Sequence, residues 1–137
     1  GDMKDKVDPY LRPIYDALYE MMPFETVEKK IQEGIIEIAP VAFMRGRTFK
    51  NSFIIIDEAQ NTSSIQMKMI LTRLGYGSKM IINGDLTQID IKYINDSGLS
   101  TAKNKLSNLK TIKFINLNKK DVVRHKIVSE IISAYEK

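Results

Sequence analysis

Hydrophobic and polar positions change their spacing along the chain, and this spacing predicts alternating strands and helices. The central segment is the apolar run over residues 53–56, which passes directly into Asp57 and Glu58. A short apolar run bounded by polar residues is typical of a buried strand, and in α/β proteins such strands form parallel sheets covered on both faces. We therefore predict a strand over residues 53–57 with two carboxylates at its carboxyl end, where open α/β sheets place their ligands.

The rest of the chain repeats the alternation of strand and helix. Further strands are predicted at residues 35–39, 80–83 and 111–117, and the second of them ends in a polar loop, residues 84–88 (GDLTQ). Helical spacing of apolar residues predicts helices at about 8–22, 25–32, 63–74, 97–106 and 121–135. The order of elements after residue 53 predicts a parallel sheet with right-handed crossovers.

Composition favours a globular domain, with the cytoplasm as the default location. Its 137 residues amount to one domain, with 43% hydrophobic and 28% charged residues. No apolar run approaches the roughly 18 residues of a membrane span, and no cysteine is present to form a disulfide or a thiolate metal site. The net charge of +4 is compatible with nucleic-acid binding but does not require it.

The two carboxylates after the central strand suit a divided task. One acid can hold Mg²⁺, directly or through water, while the other orients or deprotonates an attacking water. This arrangement is that of the Walker B strand of P-loop NTPases. The alternative is that Asp57 only caps the following turn and Glu58 has no chemical role.

The polar loop after the next strand adds complementary chemistry. Gln88 carries both a donor and an acceptor, so it can hydrogen-bond a γ-phosphate or its attacking water; the alternative is a side chain that stabilises the loop. Arg124 can supply a cation to transition-state charge, in cis or across an oligomer interface, or it forms a surface salt bridge. His125, the only histidine, is interpreted as structural.

Two arginines flank a glycine in the segment 44–48 (MRGRT). Arg45 and Arg47 on such a turn are candidates for contacting phosphate or a nucleic-acid backbone. An exposed basic turn without a ligand is the interpretation we favour from spacing alone.

Several of these blocks resemble the PhoH family of bacteria, and the resemblance runs nearly end to end. The matching segments are residues 8–18 (DPYLRPIYDAL), 44–48 (MRGRT), 53–61 (FIIIDEAQN), 66–79 (QMKMILTRLGYGSK), 84–90 (GDLTQID) and 121–125 (DVVRH). The resemblance implies a RecA-like P-loop NTPase core, α/β with a mostly parallel sheet and flanking helices, related to superfamily 1 helicases. It also implies ATP and Mg²⁺ as cofactors, a cytoplasmic location, a link to phosphate starvation, a role in RNA metabolism and homo-oligomers.

The resemblance also implies roles for individual residues. Asp57 and Glu58 match the Walker B acids, and Gln88 matches the glutamine of the helicase-type GDxxQ motif. Arg124 lies in the DVVRH block, where an arginine-finger or sensor role is implied. Arg47 and Arg73 lie in family blocks without an assigned role, and we keep Arg73 as a candidate for phosphate or nucleic-acid contact.

One family feature is missing from this sequence. The phosphate-binding loop GxxxxGK[ST] is absent, because none of the seven glycines precedes a lysine. We therefore expect residues 1–137 to be a partial NTPase domain, incomplete at its N-terminal side, that binds ATP weakly or not at all by itself. By the resemblance, the strand before that loop lies between the strands at 80–84 and 112–116, so we expect either a closed-up sheet or association between chains.

The leading hypothesis is therefore the ATPase portion of a PhoH-like NTPase that couples ATP hydrolysis to work on RNA. Two alternatives from other classes stay open. One is a nucleic-acid-binding module without hydrolysis, and the other is a partner-docking module in which Asp57 and Glu58 are only structural.

Overall fold

The computed structural model describes residues 8–137, which form a two-stranded parallel sheet and flanking helices. In chain order the helices and strands are α1 (Arg12–Met21), α2 (Phe24–Gln32), β1 (Phe53–Ile56), α3 (Ser64–Leu71), β2 (Lys79–Ile82), α4 (Gly98–Leu106) and α5 (Lys126–Tyr135). The α/β class predicted from the sequence is confirmed.

Strands β1 and β2 pair in parallel, as the alternation of strand and helix predicts. Their register joins Phe53 to Lys79 and runs without a break to the pair of Ile56 and Ile82. The connection between them contains α3, because parallel neighbours cannot be joined by a tight hairpin. Both strands therefore end at the same edge, where residues 57 and 83 begin the loops that carry the polar side chains.

Only one face of this sheet is covered by the described residues, whereas the sequence predicts cover on both. Ile54, Ile56 and Ile82 point into the main hydrophobic cluster, which also contains Met67 and Ile70 of α3. On the opposite face the apolar side chains of residues 53, 55 and 81 are exposed. Successive side chains of a strand point to opposite faces of the sheet. A continuous apolar run therefore makes both faces apolar, but it does not ensure that helices cover both of them.

Helix α3 begins where the sequence predicts and ends three residues earlier. The Ser63 hydroxyl accepts a hydrogen bond from the Gln66 N–H, and the Gln66 side chain accepts one from the Ser63 N–H, which is a capping box. The helix ends at Leu71 because the Thr72 hydroxyl and the Arg73 guanidinium donate to carbonyl groups of the last turn. These side chains satisfy acceptors that a longer helix would have used.

The predicted start of the first helix at Asp8 and Pro9 is wrong by three to four residues. The Asp8 carboxylate accepts from the Tyr10 N–H, and its carbonyl accepts from the Leu11 N–H, so residues 8–11 form a turn before α1. Asp8 therefore caps a turn rather than the helix.

Two predicted strands, residues 35–39 and 111–117, are not strands among the described residues. A strand requires hydrogen bonds from a neighbouring strand. Within residues 8–137 the sheet consists of β1 and β2, which pair with each other, and neither of these two segments pairs with them. The sheet has not closed up either, since residues 112–116 do not pair with β2. Association between chains stays a prediction.

Helix α5 begins at Lys126, five residues later than predicted. His125 caps it, because its Nδ1 accepts from the Ile127 N–H at 3.2 Å. The apolar face of α5 is largely exposed, with Ile127 and Ile131 each about half accessible. This contact agrees with a structural role for His125, whereas a buried inner face for this helix is wrong for the described part of the chain.

The start of α4 lies against the start of α3. The Gly98 N–H donates to the Thr62 carbonyl at 2.7 Å, and both Gly98 and Ser97 are buried. Leu99 and Ala102 of α4 pack against the main hydrophobic cluster. No helix within residues 8–137 has both the length and the apolar character needed to cross a bilayer.

Candidate active site

The two strand ends are locked together by backbone hydrogen bonds that continue beyond the sheet. The Asn83 N–H donates to the Ile56 carbonyl at 2.8 Å, and the Asn83 carbonyl accepts from the Ala59 N–H at 2.9 Å. Asp57 and Glu58, which lie between these two contacts, are exposed. The carboxylates are therefore exposed to solvent on a segment that is hydrogen-bonded at both ends to Asn83.

Glu58 adopts a left-handed backbone conformation, with φ of 53° and ψ of 40°. A residue with a side chain is uncommon in this region, and the conformation costs about 1 kcal/mol. It persists because the residues on either side of Asp57 and Glu58 are both held to Asn83. Strain of this kind often accompanies functional sites, so the backbone favours a role for Glu58 beyond packing.

Gln60 is a buried residue of the candidate site that the sequence did not reveal. Its side chain is 1% exposed, its Nε2 donates to a Glu58 carboxylate oxygen at 2.7 Å, and its Oε1 accepts from the Asp85 N–H at 3.1 Å. A glutamine two residues after the acids gives no sign of burial, since most glutamines are exposed. Only the tertiary contact with the loop after β2 reveals it.

The loop after β2 is organised by Asp85. Its carboxylate accepts from the Thr87 N–H at 2.9 Å and from the Thr87 hydroxyl at 2.6 Å. The hydroxyl bond is the larger cause and the backbone bond the smaller cause of an Asp85 pKa below its ordinary value. The Asp85 carbonyl then accepts from the Gln88 N–H, which leaves the Gln88 side chain exposed at the strand-end edge.

Two further contacts hold this loop region to the turn that follows β1. The Asn61 side-chain oxygen accepts from the Asp90 N–H at 2.8 Å. The Ser97 hydroxyl donates to the Gln60 carbonyl at 3.2 Å. The turn of residues 59–61 is therefore held by the loop after β2 and by the start of α4.

Arg47 is engaged within the chain and is not a free phosphate ligand. Its guanidinium donates to both carboxylate oxygens of Glu37, at 2.7 and 3.1 Å, and lies 4.5 Å from the centre of the Phe49 ring. The hydrogen bond with Arg47 lowers the Glu37 pKa, with partial burial acting in the opposite direction. Arg47 thus stabilises the segment before β1.

This pairing makes a pH-dependent contribution to stability. A carboxyl group whose pKa is lowered on folding contributes stability above its unfolded-state pKa, and the contribution is lost as pH falls through the folded-state pKa. In thermal unfolding, Glu37→Gln is expected to have a slightly lower Tm than the parent at neutral pH. The difference is expected to vanish in acid, where Glu37 is protonated in both states.

A matched control is Glu33→Gln, because Glu33 approaches Lys29 only at 4.0 Å and both side chains are well exposed. Its Tm is expected to match the parent across the whole pH range, as exposed pairs contribute little. A Glu37→Gln difference that stays constant from neutral to acidic pH would contradict the assignment.

The remaining candidate arginines have different surroundings. The Arg73 Nε donates to the Met69 carbonyl at 3.2 Å, so Arg73 helps to end α3. The side chains of Arg45 and Arg124 are exposed and form no hydrogen bond or ion pair with any residue in the described range. The structure therefore brings Asp57, Glu58 and the 84–88 loop together but does not join Arg124 to them.

The carboxylates fit a magnesium site that is completed by substrate. Within residues 8–137 no group of three or more acids or histidines is placed to hold a metal by itself. Asp57 makes no hydrogen bond with a described residue, so its oxygens remain available. Because Mg²⁺ is usually held by one or two carboxylates, waters and substrate phosphates, a single free aspartate agrees with such a site.

Comparison with known proteins identifies the family. A sequence model described as PhoH-like protein matches residues 1–136. The whole chain is 56% identical to the PhoH-like protein of Bacillus subtilis (strain 168), covering 43% of that protein, and 53% identical to that of Synechocystis sp., covering 42%. It is 41% identical to Protein PhoH of Escherichia coli (strain K12), with 98% of this chain and 39% of that protein covered. The chain spans about two fifths of the length of these curated relatives, and it belongs to the PhoH family.

Proposed function

We propose that this chain supplies the Mg²⁺- and water-handling half of an ATP-hydrolysing site in a RecA-like PhoH protein of the cytoplasm. The observation that carries the proposal is the joined strand end. Asn83 and Gln60 hold the acids after β1 and the loop after β2 in one frame. Parallel α/β sheets place ligands at this edge.

Each side chain at this edge has a separate task in the proposal. Asp57 holds Mg²⁺, directly or through water, and the ion supplies charge neutralisation for the phosphates when it is bound. Glu58 orients the attacking water and accepts its proton. Gln88 hydrogen-bonds the terminal phosphate or the water through its exposed amide. The three residues together support phosphoanhydride hydrolysis rather than binding alone.

Arg124 supplies the positive charge that stabilises the negative charge on the phosphate in the transition state. Its side chain is exposed and lies outside the strand-end frame, so we assign it to a site completed by a conformational change or by a neighbouring protomer. Such arginines act in cis or in trans in related chemistry. The proposal accordingly includes a homo-oligomer and RNA as the partner on which hydrolysis acts.

Nucleotide affinity should be low for residues 1–137 alone. The sequence lacks the loop whose N–H groups and lysine bind the β- and γ-phosphates in P-loop proteins. Isothermal titration of this chain with Mg-ATP is expected to give no binding tighter than millimolar. Micromolar binding would contradict the proposal, because residues 1–137 would then bind the phosphates without the P-loop.

The function itself is tested by ATP turnover of the full-length protein, with and without single-stranded RNA. Turnover that requires Mg²⁺ and rises with RNA supports the proposal. RNA binding that is steeply salt-dependent, without any turnover, would favour a non-hydrolytic nucleic-acid module. Arg47 gives little support to that alternative, since its guanidinium is already paired with Glu37.

A further inference from the structure

The most deeply buried polar side chain among the described residues is an amide that touches both halves of the candidate site. Gln60 is 1% exposed, compared with 6% for Thr62 and Ser97. A buried polar group must be hydrogen-bonded to be tolerated, and Gln60 has both its amide nitrogen and its amide oxygen engaged. The two partners lie on different loops, one after β1 and one after β2.

The orientation of this amide is dictated by its partners. A backbone N–H can only donate, so Asp85 requires the oxygen of Gln60. An ionised carboxylate can only accept, so Glu58 requires the NH₂ group. No other arrangement of the amide satisfies both groups, and neither a methionine nor an ionised glutamate can replace it.

The loop after β2 passes directly against Gln60. A Cβ atom added to Gly84 would lie 3.1 Å from both the Gln60 backbone nitrogen and its Oε1, and 2.4 Å from Leu99 Cδ2. The close approach leaves no room for a water molecule between Gly84 and the amide. A displacement of the 84–88 loop must therefore move or break the Gln60 contact.

We infer that Gln60 is a positioning residue that couples the Glu58 carboxylate to the loop bearing Gln88. The inference rests on the proposed function, in which Glu58 acts on water and Gln88 contacts the terminal phosphate. When the terminal phosphate hydrogen-bonds to Gln88, the 84–88 loop shifts at Asp85. The Gln60 amide, which is bonded to Asp85, passes this shift on to the Glu58 carboxylate. Gln60 itself touches neither nucleotide nor water.

The coupling acts on the Glu58 carboxylate and not on its strained backbone. Its backbone is held from both sides through Asn83, whereas within residues 8–137 its carboxylate is held only by the Gln60 amide. A charge-assisted hydrogen bond is stronger than a neutral one and more directional. Without it the exposed carboxylate is free to rotate, and the attacking water loses its fixed acceptor.

Three variants of the full-length protein test this inference. Gln60→Met preserves the side chain's length and apolar volume but removes both hydrogen bonds. It is expected to lower kcat for Mg-ATP about 10- to 100-fold, as loss of an orienting partner typically does, while KM changes less than about threefold.

The matched control is Thr62→Val, which removes another buried hydrogen bond of the same turn, from the Thr62 hydroxyl to the Ala59 carbonyl at 2.7 Å. It touches neither Glu58 nor the 84–88 loop, so kcat is expected to stay at the parent level. Hydrogen exchange provides a second readout: amides 84–88 are expected to exchange faster in Gln60→Met and at the parent rate in Thr62→Val.

The outcomes separate the coupling from the proposed function. If Glu58→Gln loses turnover while Gln60→Met keeps kcat within threefold, the coupling is wrong and the proposed function stands. If Thr62→Val loses as much kcat as Gln60→Met, the effect is structural and the coupling is wrong. If Glu58→Gln keeps full turnover, the proposed function fails, and exchange at residues 84–88 still decides whether Gln60 restrains the loop.

Discussion

Replacing Glu58 with glutamine in the full-length protein is expected to lower kcat for ATP by at least about 100-fold, the scale associated with loss of a general base. Glutamine is close to isosteric but cannot accept the proton of an attacking water. The strained backbone and the 2.7 Å contact with Gln60 show that the carboxylate is held in place. The expected KM change is small, since Asp57 and the phosphate contacts remain.

The same chemical change at a structural carboxylate serves as the control. Glu37→Gln removes the ion pair with Arg47 but no group of the strand-end edge, so its kcat is expected to equal that of the parent. Steady-state ATP turnover with saturating Mg²⁺ measures both variants. Full turnover by Glu58→Gln would mean that residues 57–58 only end a core strand.

Replacing Gly98 with alanine is expected to reduce the free energy of unfolding by about 3 kcal/mol, at the upper end of the usual range for overpacking. A Cβ at this position would lie 2.4 Å from the Ser63 carbonyl oxygen and 2.7 Å from Met67 Cβ. Neither atom can move away by a side-chain rotation. Helices α3 and α4 would have to separate, and the Gly98 hydrogen bond to Thr62 would break.

Gly34→Ala provides the contrast for urea denaturation. Apart from its chain neighbours, no atom of the described residues lies within 4 Å of a Cβ at Gly34, but its φ is +75°, so the expected loss is only about 1 kcal/mol, from backbone strain. Intrinsic helix propensity alone would make alanine better than glycine at the start of α4. A Gly98→Ala variant as stable as the parent would therefore contradict the close helix approach.

The elements that sequence predicts correctly are those whose signals are local. The apolar run of β1, the run at 80–83 and the capping residues before α3 each lie within a few residues of one another. Their structures differ from prediction only at the ends, where side chains such as Thr72 capture free carbonyl groups. Hydrophobic spacing therefore accounts for the sheet and for the two helices that cover its inner face.

The elements that sequence misplaces depend on a partner. Residues 35–39 and 111–117 have the composition of strands, but a strand forms only beside another strand, and the apolar face of α5 is buried only against another surface. The spacing of apolar residues shows that a segment needs another strand or surface to pack against, but it does not show whether that strand or surface is present. The sheet face formed by residues 53, 55 and 81 stays exposed for the same reason.

The residues of the candidate site fall into the same two groups, those with a local sequence signal and those that depend on a distant contact. Asp57, Glu58 and the 84–88 loop are found by sequence because acids and amides after buried strands are visible in the pattern. The role of Gln60 arises from a contact 25 residues away, and the engagement of Arg47 arises from Glu37, ten residues earlier. Neither contact has a periodic signature, so both require the structure.

The most direct test of the proposed site is a structure of the full-length protein with Mg²⁺ and a non-hydrolysable ATP analogue. We expect Mg²⁺ at about 2.1 Å from an Asp57 oxygen or bridged to it by one water. The terminal phosphate is expected within hydrogen-bond reach of the Gln88 amide, with a water held by Glu58 on its far side. Nucleotide bound elsewhere, with Asp57, Glu58 and Gln88 facing only solvent, would contradict the account.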